Sequence, residues 1–240
     1  MTSHEPTRHR RPEARPRATL AVVAEAGDVA MDWAPLVAAL ARTFDLEVAD
    51  VGPGRAEPGR RADPVGLAAA MPGPTLVLPS RLGHRARRRD GATAPVLERV
   101  LVPSDAGDEL ARASATLVGA LGRSGVAVTV LHVVTDDNRP RMWEGAGHHA
   151  VQWFEELAAR HGCAGPSLRV VAGSPRREIA MHSASVDLVL VPWHHIAADG
   201  RAPVVRALLD GELDVPVLLA PLAWVGTLAS GAPARRRLVR

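Results

Sequence analysis

The sequence contains no lysine, no tyrosine and one cysteine, Cys163. Without lysine the chain cannot form a side-chain Schiff base or a lysine-dependent phosphate loop, and without tyrosine it has no phenolic acid. A single cysteine cannot form a disulfide within the chain, which is typical of a reducing compartment, so we expect a cytoplasmic protein. We interpret Cys163 as a packing or loop residue. A reactive thiol is the alternative, but no fixed cationic neighbour is evident to activate it.

Long apolar runs are also missing. No run reaches the roughly 18 apolar residues that a membrane-spanning helix needs. Residues 15–26 imitate a secretory signal, with an Arg-Pro-Arg start followed by a short apolar stretch. That stretch is at the short limit for a signal and is typical of a buried strand. We therefore predict neither a membrane span nor secretion.

The basic side chains other than histidine are all arginine. The 29 arginines are nearly offset by 26 acidic residues, which leaves a formal net charge of +3. The high isoelectric point therefore does not indicate a nucleic-acid-binding protein. We predict a disordered basic tail at residues 1–17 and a basic C-terminal tail at residues 223–240. A nucleic-acid-binding arm is the alternative for the first tail, but no aromatic side chains interleave its arginines to stack on bases.

Short apolar runs alternate with helical patterns through most of the chain. In the C-terminal half, five such runs lie at residues 100–103, 126–134, 168–172, 187–192 and 215–221. This alternation predicts an α/β fold, in which residues 97–222 form an open parallel five-stranded sheet with helices on both faces. Ligands bind such sheets beyond the carboxyl ends of the strands, so function is expected there.

A smaller α/β domain is predicted over residues 18–96. Its strands are expected at residues 19–24, 46–51 and 75–78, and its helices at 31–42 and 65–71. The run Leu76-Val77-Leu78-Pro79, followed by a basic loop, parallels Leu190-Val191-Pro192, followed by two histidines. This similarity between the two segments suggests that the smaller domain is a truncated, degenerate copy of the larger one.

The order and spacing of the C-terminal motifs resemble the universal stress protein family. The stretch Leu101-Val102-Pro103-Ser104-Asp105 resembles the first strand of that family and its acidic turn. Residues 130–134 resemble the second strand, and residues 214–219 the closing strand. The resemblance implies an adenine-nucleotide-alpha-hydrolase-like sheet with the first strand central. It also implies that the last strand, residues 215–220, is an edge paired across a homodimer, or else covered by the smaller domain in an intrachain pseudo-dimer.

The resemblance also locates a nucleotide site. In nucleotide-binding members, the acidic residue after the first strand contacts the adenosine, and a glycine loop after the fourth strand holds the phosphates. Asp105 matches the acidic position, and Val133 lies near the adenine-contacting end of the second strand. The glycine loop does not match, because Pro192 and His195 stand where its first two glycines belong and the later Gly-Ser pair is absent. The resemblance therefore implies the branch of the family that does not bind nucleotides.

Retained binding of ATP or AMP stays open as an alternative. Histidine and arginine side chains after the fourth strand could hold an anion, and a glycine there permits a tight turn. Side chains would then replace the backbone N–H groups that normally cradle phosphates. The nucleotide-binding set would be Asp105, Val133, His194, His195, Gly200 and Arg201.

The paired histidines raise a second alternative, an enzyme that depends on a metal or an anion. The pairs are His148-His149 and His194-His195, with His132, Asp136 or Asp137 nearby. Neighbouring residues on a helix diverge by about 100°, and neither spacing matches a zinc pattern. Ser104 and Ser114 lack the Gly-x-Ser-x-Gly surroundings of a nucleophile, and Asp108 is interpreted as a helix cap. We predict no metal site and no catalytic constellation.

These observations favour a regulatory or interaction module of the stress response rather than an enzyme. We expect no cofactor, an unidentified protein partner, and neither a membrane nor a nucleic acid as a partner.

Overall fold

The computed structural model describes residues 17–24, 33–51, 64–79, 97–104, 107–136, 138, 147–163, 167–194, 205, 208–209 and 213–230. Its strands are β1 (Ala18–Val23), β2 (Leu46–Val51), β3 (Thr75–Val77), β4 (Arg99–Ser104), β5 (Ala127–Val134), β6 (Leu168–Ala172), β7 (Leu188–Trp193) and β8 (Val217–Pro221). Its helices are α1 (Ala34–Phe44), α2 (Pro64–Ala70), α3 (Asp108–Arg123), α4 (Gly147–Arg160), α5 (Pro175–Ser183) and α6 (Leu222–Ser230). None of these helices is long and apolar enough to cross a membrane.

The strands of the described residues form one eight-stranded sheet with the order β2-β1-β3-β8-β7-β4-β5-β6. The five strands from β8 to β6 are mutually parallel, with β4 in the centre. The predicted fold class, a parallel five-stranded sheet preceded by a smaller α/β part, is confirmed. The valine-rich runs form strands because the β-branched side chain of valine fits a pleated surface buried on both faces.

The last strand is not an open edge of the sheet, and the pairing agrees with the alternative in which the smaller part of the chain covers it. Strand β8 pairs with β7 on one side and with β3 on the other, and the β3 pairing is antiparallel with Leu76 opposite Leu218. The smaller part of the chain brings its own strand edge to β8 and satisfies the main-chain groups that an edge leaves open. Of the described strands, β2 and β6 form the edges of the sheet.

The smaller part repeats the central arrangement of the larger part. Strand β1 lies between β2 and β3, as β4 lies between β5 and β7, and in each case both neighbours are parallel. A truncated copy would have this arrangement, without counterparts of β6 and β8. The domain boundaries and the common origin of the two parts stay predictions.

Each face of the sheet carries its own core. Successive strand residues point to opposite faces, so Val100 and Val102 pack on one side and Leu101 on the other. The first core is covered by α1, α3, α4 and α6, and the second by α2, α5 and residues from the 205–215 region. The parallel sheet is therefore covered on both faces, as its continuous apolar strands require.

Part of the predicted C-terminal tail is a helix. Helix α6 begins at Leu222, and Trp224 is 1% exposed in the first core. The ring of Trp224 packs edge-to-face on Phe44 of α1, with 5.4 Å between the ring centres. The apolar residues of α6 bury against the sheet, although the arginine cluster that follows them makes the segment resemble a basic tail. Residues 231–240, with the basic cluster, lie outside the described residues.

Candidate functional site

The candidate site lies at the carboxyl edge of the central strands. After β4 the chain adds β5 and β6 on one side of β4, and it then returns to place β7 on the other side. This reversal of direction is the point at which open α/β sheets bind ligands. The strands end there at Ser104, Val134 and Trp193.

A hydroxyl and imidazole cluster lies beneath the end of β4. Ser114 of α3 donates its hydroxyl to the Ser104 oxygen across 3.0 Å. His161 Nδ1 lies 2.8 Å from the carbonyl oxygen of Leu157 and His161 Nε2 lies 3.0 Å from Ser104 Oγ. The carbonyl can only accept, so Nδ1 carries a proton, and in a neutral imidazole Nε2 then accepts the Ser104 hydroxyl proton. The cluster ties the end of β4 to α3 and to the residue after α4.

Gly162 allows His161 to turn into this cluster. Its φ of +63° is a left-handed conformation that residues with a Cβ rarely adopt. A Cβ at this position would lie 2.9 Å from the Cβ of Ala115 on α3. Both the turn and the close approach of α3 therefore require glycine here.

His132 belongs to the same buried layer. It is the register partner of Ser104 across β4 and β5, and its side chain is 1% exposed. Its Nδ1 lies 3.2 Å from the Ser104 carbonyl oxygen, and its ring packs edge-to-face on Trp153 at 6.0 Å. His132 therefore has the surroundings of a structural histidine, with its ring against the sheet and α4.

The end of β5 is closed by Asn138. Its Nδ2 donates to the carbonyl oxygen of Val133 across 3.0 Å, and its Oδ1 accepts the N–H of Thr135 across 2.6 Å. Val133 itself is buried in the core on the other face of the sheet. The resemblance places Val133 near adenine. In this structure its carbonyl oxygen already accepts a hydrogen bond from a side chain of the loop after β5.

Strand β7 continues to the position where the phosphate loop would begin. Pro192 and Trp193 are both strand residues and both buried, with Trp193 3% exposed in the second core. They pair in register with Ala220 and Pro221 of β8. His194 follows on the surface, and its Nε2 lies 3.4 Å from Glu109 Oε2.

The beginning of α3 is acidic. Gly107 is the N-cap, so the prediction that Asp108 caps the helix is wrong, and Asp108 and Glu109 lie in the first turn. The Asp108 carboxylate instead lies 3.6 Å from Arg160 of α4. Carboxylates in the first turn are stabilised by the positive end of the helix dipole and oppose the approach of an anion.

Several predicted site residues lie outside the described residues. These are Asp105, Asp137, His195, Gly200 and Arg201. The side chains of His148 and His149 on α4 are also outside that part. Among the residues described, no group of three or more histidine, cysteine, aspartate or glutamate side chains could hold a metal ion.

Cys163 follows α4 and packs against the first core. Burial raises the pKa of its thiol, and a backbone hydrogen bond lowers the pKa by a smaller amount. Because the thiolate is the reactive form, this position gives a thiol of low reactivity.

The sequence contained a signal for the buried cluster. His161 follows Phe154, Leu157 and Ala158 at the spacing of one helix face, and Ser114 shares a face with Leu110 and Leu117. These positions predict inward-facing side chains. Their meeting at Ser104 depends on how α3 and α4 pack, which the sequence does not encode locally.

No protein-family model matches the sequence, and no curated protein matches it. Among solved structures, a protein assigned to the universal stress proteins, from Pseudomonas aeruginosa UCBPP-PA14, is similar with a TM-score of 0.52 and 11% identity, over 89% of this chain and 98% of that chain. A protein of unknown function from Pseudomonas aeruginosa PAO1 has a TM-score of 0.51 and 12% identity, over 90% and 98%.

A universal stress protein from Archaeoglobus fulgidus DSM 4304 is similar over 65% of this chain, with a TM-score of 0.42 and 14% identity. The alignment covers 52% of that chain, so this chain spans about half of its length. The two Pseudomonas alignments extend over both parts of the sheet. The chain therefore has a universal-stress-protein-like fold.

Proposed function

We propose that this chain is a regulatory or interaction module of the universal-stress type that does not hold ATP through a phosphate loop. One observation carries the proposal: β7 continues through Pro192 and Trp193, both buried, where the first glycine of such a loop would stand. A phosphate loop needs backbone N–H groups that can approach the phosphate oxygens closely. Proline supplies no N–H, and the indole of Trp193 is already packed in the core.

The charges around the same edge support the proposal. Asp108 and Glu109 occupy the first turn of α3, and Glu109 lies against His194. A phosphate that used His194 would have to displace the Glu109 carboxylate and then lie beside two negative charges. Among the described residues, His194 is the one predicted anion-binding side chain, and the neighbouring carboxylates therefore disfavour the binding of an anion there.

The proposed partner is a protein, and the proposed setting is the cytoplasm, where a single free thiol is stable. We propose an intrachain pseudo-dimer rather than a homodimer paired through the last strand. The antiparallel pairing of β3 with β8 supports this, because it occupies the side of β8 that a second chain would need.

The proposal is tested by calorimetric titration of ligand-stripped protein with ATP, AMP and cyclic AMP, with and without magnesium. We expect no saturable heat at millimolar ligand. Saturable binding that Asp105→Ala weakens at least tenfold, while the matched control Glu155→Ala on the exposed face of α4 does not, would overturn the proposal in favour of a nucleotide sensor.

The enzymatic alternative has its own test. The protein is assayed for hydrolysis of ATP and of generic ester and phosphate substrates, with Mg²⁺, Mn²⁺ or Zn²⁺ added in turn. We expect no turnover above that of the buffer and metal alone. Metal-dependent turnover that His194→Ala abolishes would replace the regulatory module with a histidine-dependent enzyme.

A further inference from the structure

The buried cluster at the end of β4 has the geometry of an activated nucleophile. The Ser104 hydroxyl donates to Nε2 of His161 across 3.0 Å, and Nδ1–H of His161 donates to the Leu157 carbonyl oxygen across 2.8 Å. A hydroxyl within hydrogen-bond reach of a base, with the base oriented by a third group, is the arrangement that activates serine. This arrangement is defined by geometry, so it does not require a Gly-x-Ser-x-Gly sequence.

Ser114 supplies a donor to the same oxygen. Its hydroxyl donates to Ser104 Oγ across 3.0 Å. This hydrogen bond becomes stronger as Ser104 Oγ gains negative charge, because hydrogen bonds to charged acceptors are stronger than those to neutral ones. Ser114 therefore favours the loss of the Ser104 proton to His161.

The members of the cluster differ in their exposure. Ser114 and His161 are both 0% exposed, whereas Ser104, the last residue of the central strand, keeps part of its surface exposed. Ser104 lies at the carboxyl edge of the sheet, where α/β sheets bind ligands. A small electrophile from the solvent can therefore contact Ser104, whereas bulk water does not contact the imidazole.

We propose that Ser104 is a modification site that takes an acyl group from an uncharged activated ester or thioester, with His161 as the base. Ser104 Oγ attacks the carbonyl carbon of the donor while its proton passes to His161 Nε2. The bond from that carbon to the ester oxygen or thioester sulfur then breaks, and the leaving group takes the proton from Nε2. The products are an ester on Ser104 and a free alcohol or thiol, and no atom changes its oxidation state.

The charges near this edge favour an uncharged donor. Asp108 and Glu109 occupy the first turn of α3, which begins shortly after Ser104. Their carboxylates repel a phosphoryl compound or another anionic donor. Because the imidazole is fully buried, an acyl group on Ser104 keeps water away from it, and we expect the ester to persist. The site goes beyond the proposed function and gives a stoichiometric product rather than turnover.

The experiment treats the full-length protein with p-nitrophenyl acetate and follows nitrophenolate release together with the intact mass. We expect a burst of one nitrophenolate per chain, no further release, and an acetyl group that peptide mass spectrometry locates on Ser104. The chain has no lysine, so the commonest background site of acetylation is absent. The exposed Ser185, whose hydroxyl donates to the His182 carbonyl oxygen, is the internal control and should stay unmodified.

Substitutions separate the base from a merely structural histidine. Ser104→Ala should abolish the burst. His161→Gln keeps an oxygen that can accept the Ser104 hydroxyl but cannot take its proton, so it should slow the burst about a hundredfold, as expected for loss of a general base. The matched control Ser183→Ala removes a hydroxyl that donates to a main-chain carbonyl instead of an imidazole, and it should leave the burst unchanged.

Urea denaturation checks that each variant keeps the wild-type transition, and if His161→Gln loses it, His161→Asn is measured with the same expectation. The inference is overturned if Ser104 stays unmodified or if Ser185 is acetylated as fast. It is also overturned if a folded His161 variant reacts as fast as the wild type, or if nitrophenolate release continues as turnover that Ser104→Ala abolishes. The proposed function fails separately, on saturable binding of ATP, which none of these measurements involves.

Discussion

His161 Nε2 lies 3.0 Å from the hydroxyl oxygen of Ser104, although 57 residues separate the two in sequence. The contact joins the residue after α4 to the last residue of the central strand β4. His161 and Ser114 are fully buried, so their hydrogen-bonding groups depend on one another rather than on bulk water. The end of β4 is therefore anchored directly before the predicted acidic position, Asp105.

This anchoring predicts a large cost for removing the imidazole. His161→Leu removes the acceptor of the half-buried Ser104 hydroxyl, and the Leu157 carbonyl keeps only its backbone donor, the N–H of residue 161. Leaving a buried polar group unsatisfied costs about 1–3 kcal/mol. We expect His161→Leu to lower the free energy of unfolding by roughly 2 kcal/mol, measured by urea denaturation.

A double-mutant cycle with Ser104→Ala separates the hydrogen bond from the loss of packing. We expect the two substitutions to be non-additive by about 1 kcal/mol, since both remove the same bond. His194→Leu, on an exposed histidine, serves as the control. Strict additivity of His161→Leu and Ser104→Ala would mean that the bond contributes nothing.

Local patterns were sufficient for much of the fold. Ser174-Pro175 predicts the beginning of α5, because proline suits the first turn of a helix, and the helix begins there. The valine run at residues 126–134 predicts β5, which spans Ala127–Val134. The sequence does not mark α6 as clearly, because the apolar residues around Trp224 lead into an arginine-rich segment.

The relations between distant segments could not be predicted in the same way. An apolar run such as residues 75–78 predicts a strand, but the run does not show which strands it will pair with. Here one of the partners is β8. At the candidate site, Val133 and Pro192 could be placed from their strands. The contact of Asn138 with Val133 depends on the path of the loop after β5, and the contact of Ser104 with His161 depends on helix packing.

Thr75 is a position at which a substitution is expected to raise the free energy of unfolding rather than lower it. It is fully buried on β3 beside the β8 pairing, and its hydroxyl has no hydrogen-bond partner within the described part of the chain. Valine has nearly the same shape and removes the unsatisfied oxygen. We expect Thr75→Val to raise the free energy of unfolding by about 1 kcal/mol in urea denaturation. Thr75→Ser keeps the hydroxyl and loses a methyl group, so it should lower stability, and a destabilised Thr75→Val would mean that the hydroxyl has a partner.

His182 predicts a pH dependence of stability. Burial lowers the pKa of its imidazole, the Arg169 guanidinium lowers it further, and the Glu178 carboxylate raises it by less. The unfolded chain, with an ordinary histidine pKa of 6.5, therefore binds a proton at a higher pH than the folded chain does. The stability contributed by the neutral ring is complete above pH 6.5 and declines as the pH falls towards the lowered folded pKa.

The measurement compares the wild type with His182→Gln, which cannot protonate, in urea denaturation at pH 7.5 and at pH 5.5. We expect the wild type to lose stability relative to the variant as the pH falls. Arg169→Gln removes one of the causes of the lowered pKa and should reduce the difference. Equal losses in the wild type and His182→Gln would contradict the assignment.

The pairing of β3 with β8 predicts the mass of the protein in solution. Strand β8 has a strand on each side, so it offers no open edge to a second chain. We expect sedimentation equilibrium to give the single-chain mass of 25.4 kDa up to about 100 µM, a range in which a specific interface with a micromolar Kd would be populated. A mass of two chains would place an interface elsewhere, on the edge of β2 or β6 or on a helical face. Glu47→Pro on β2 and Arg169→Pro on β6 then decide between the edges, because proline cannot donate to a strand across the interface.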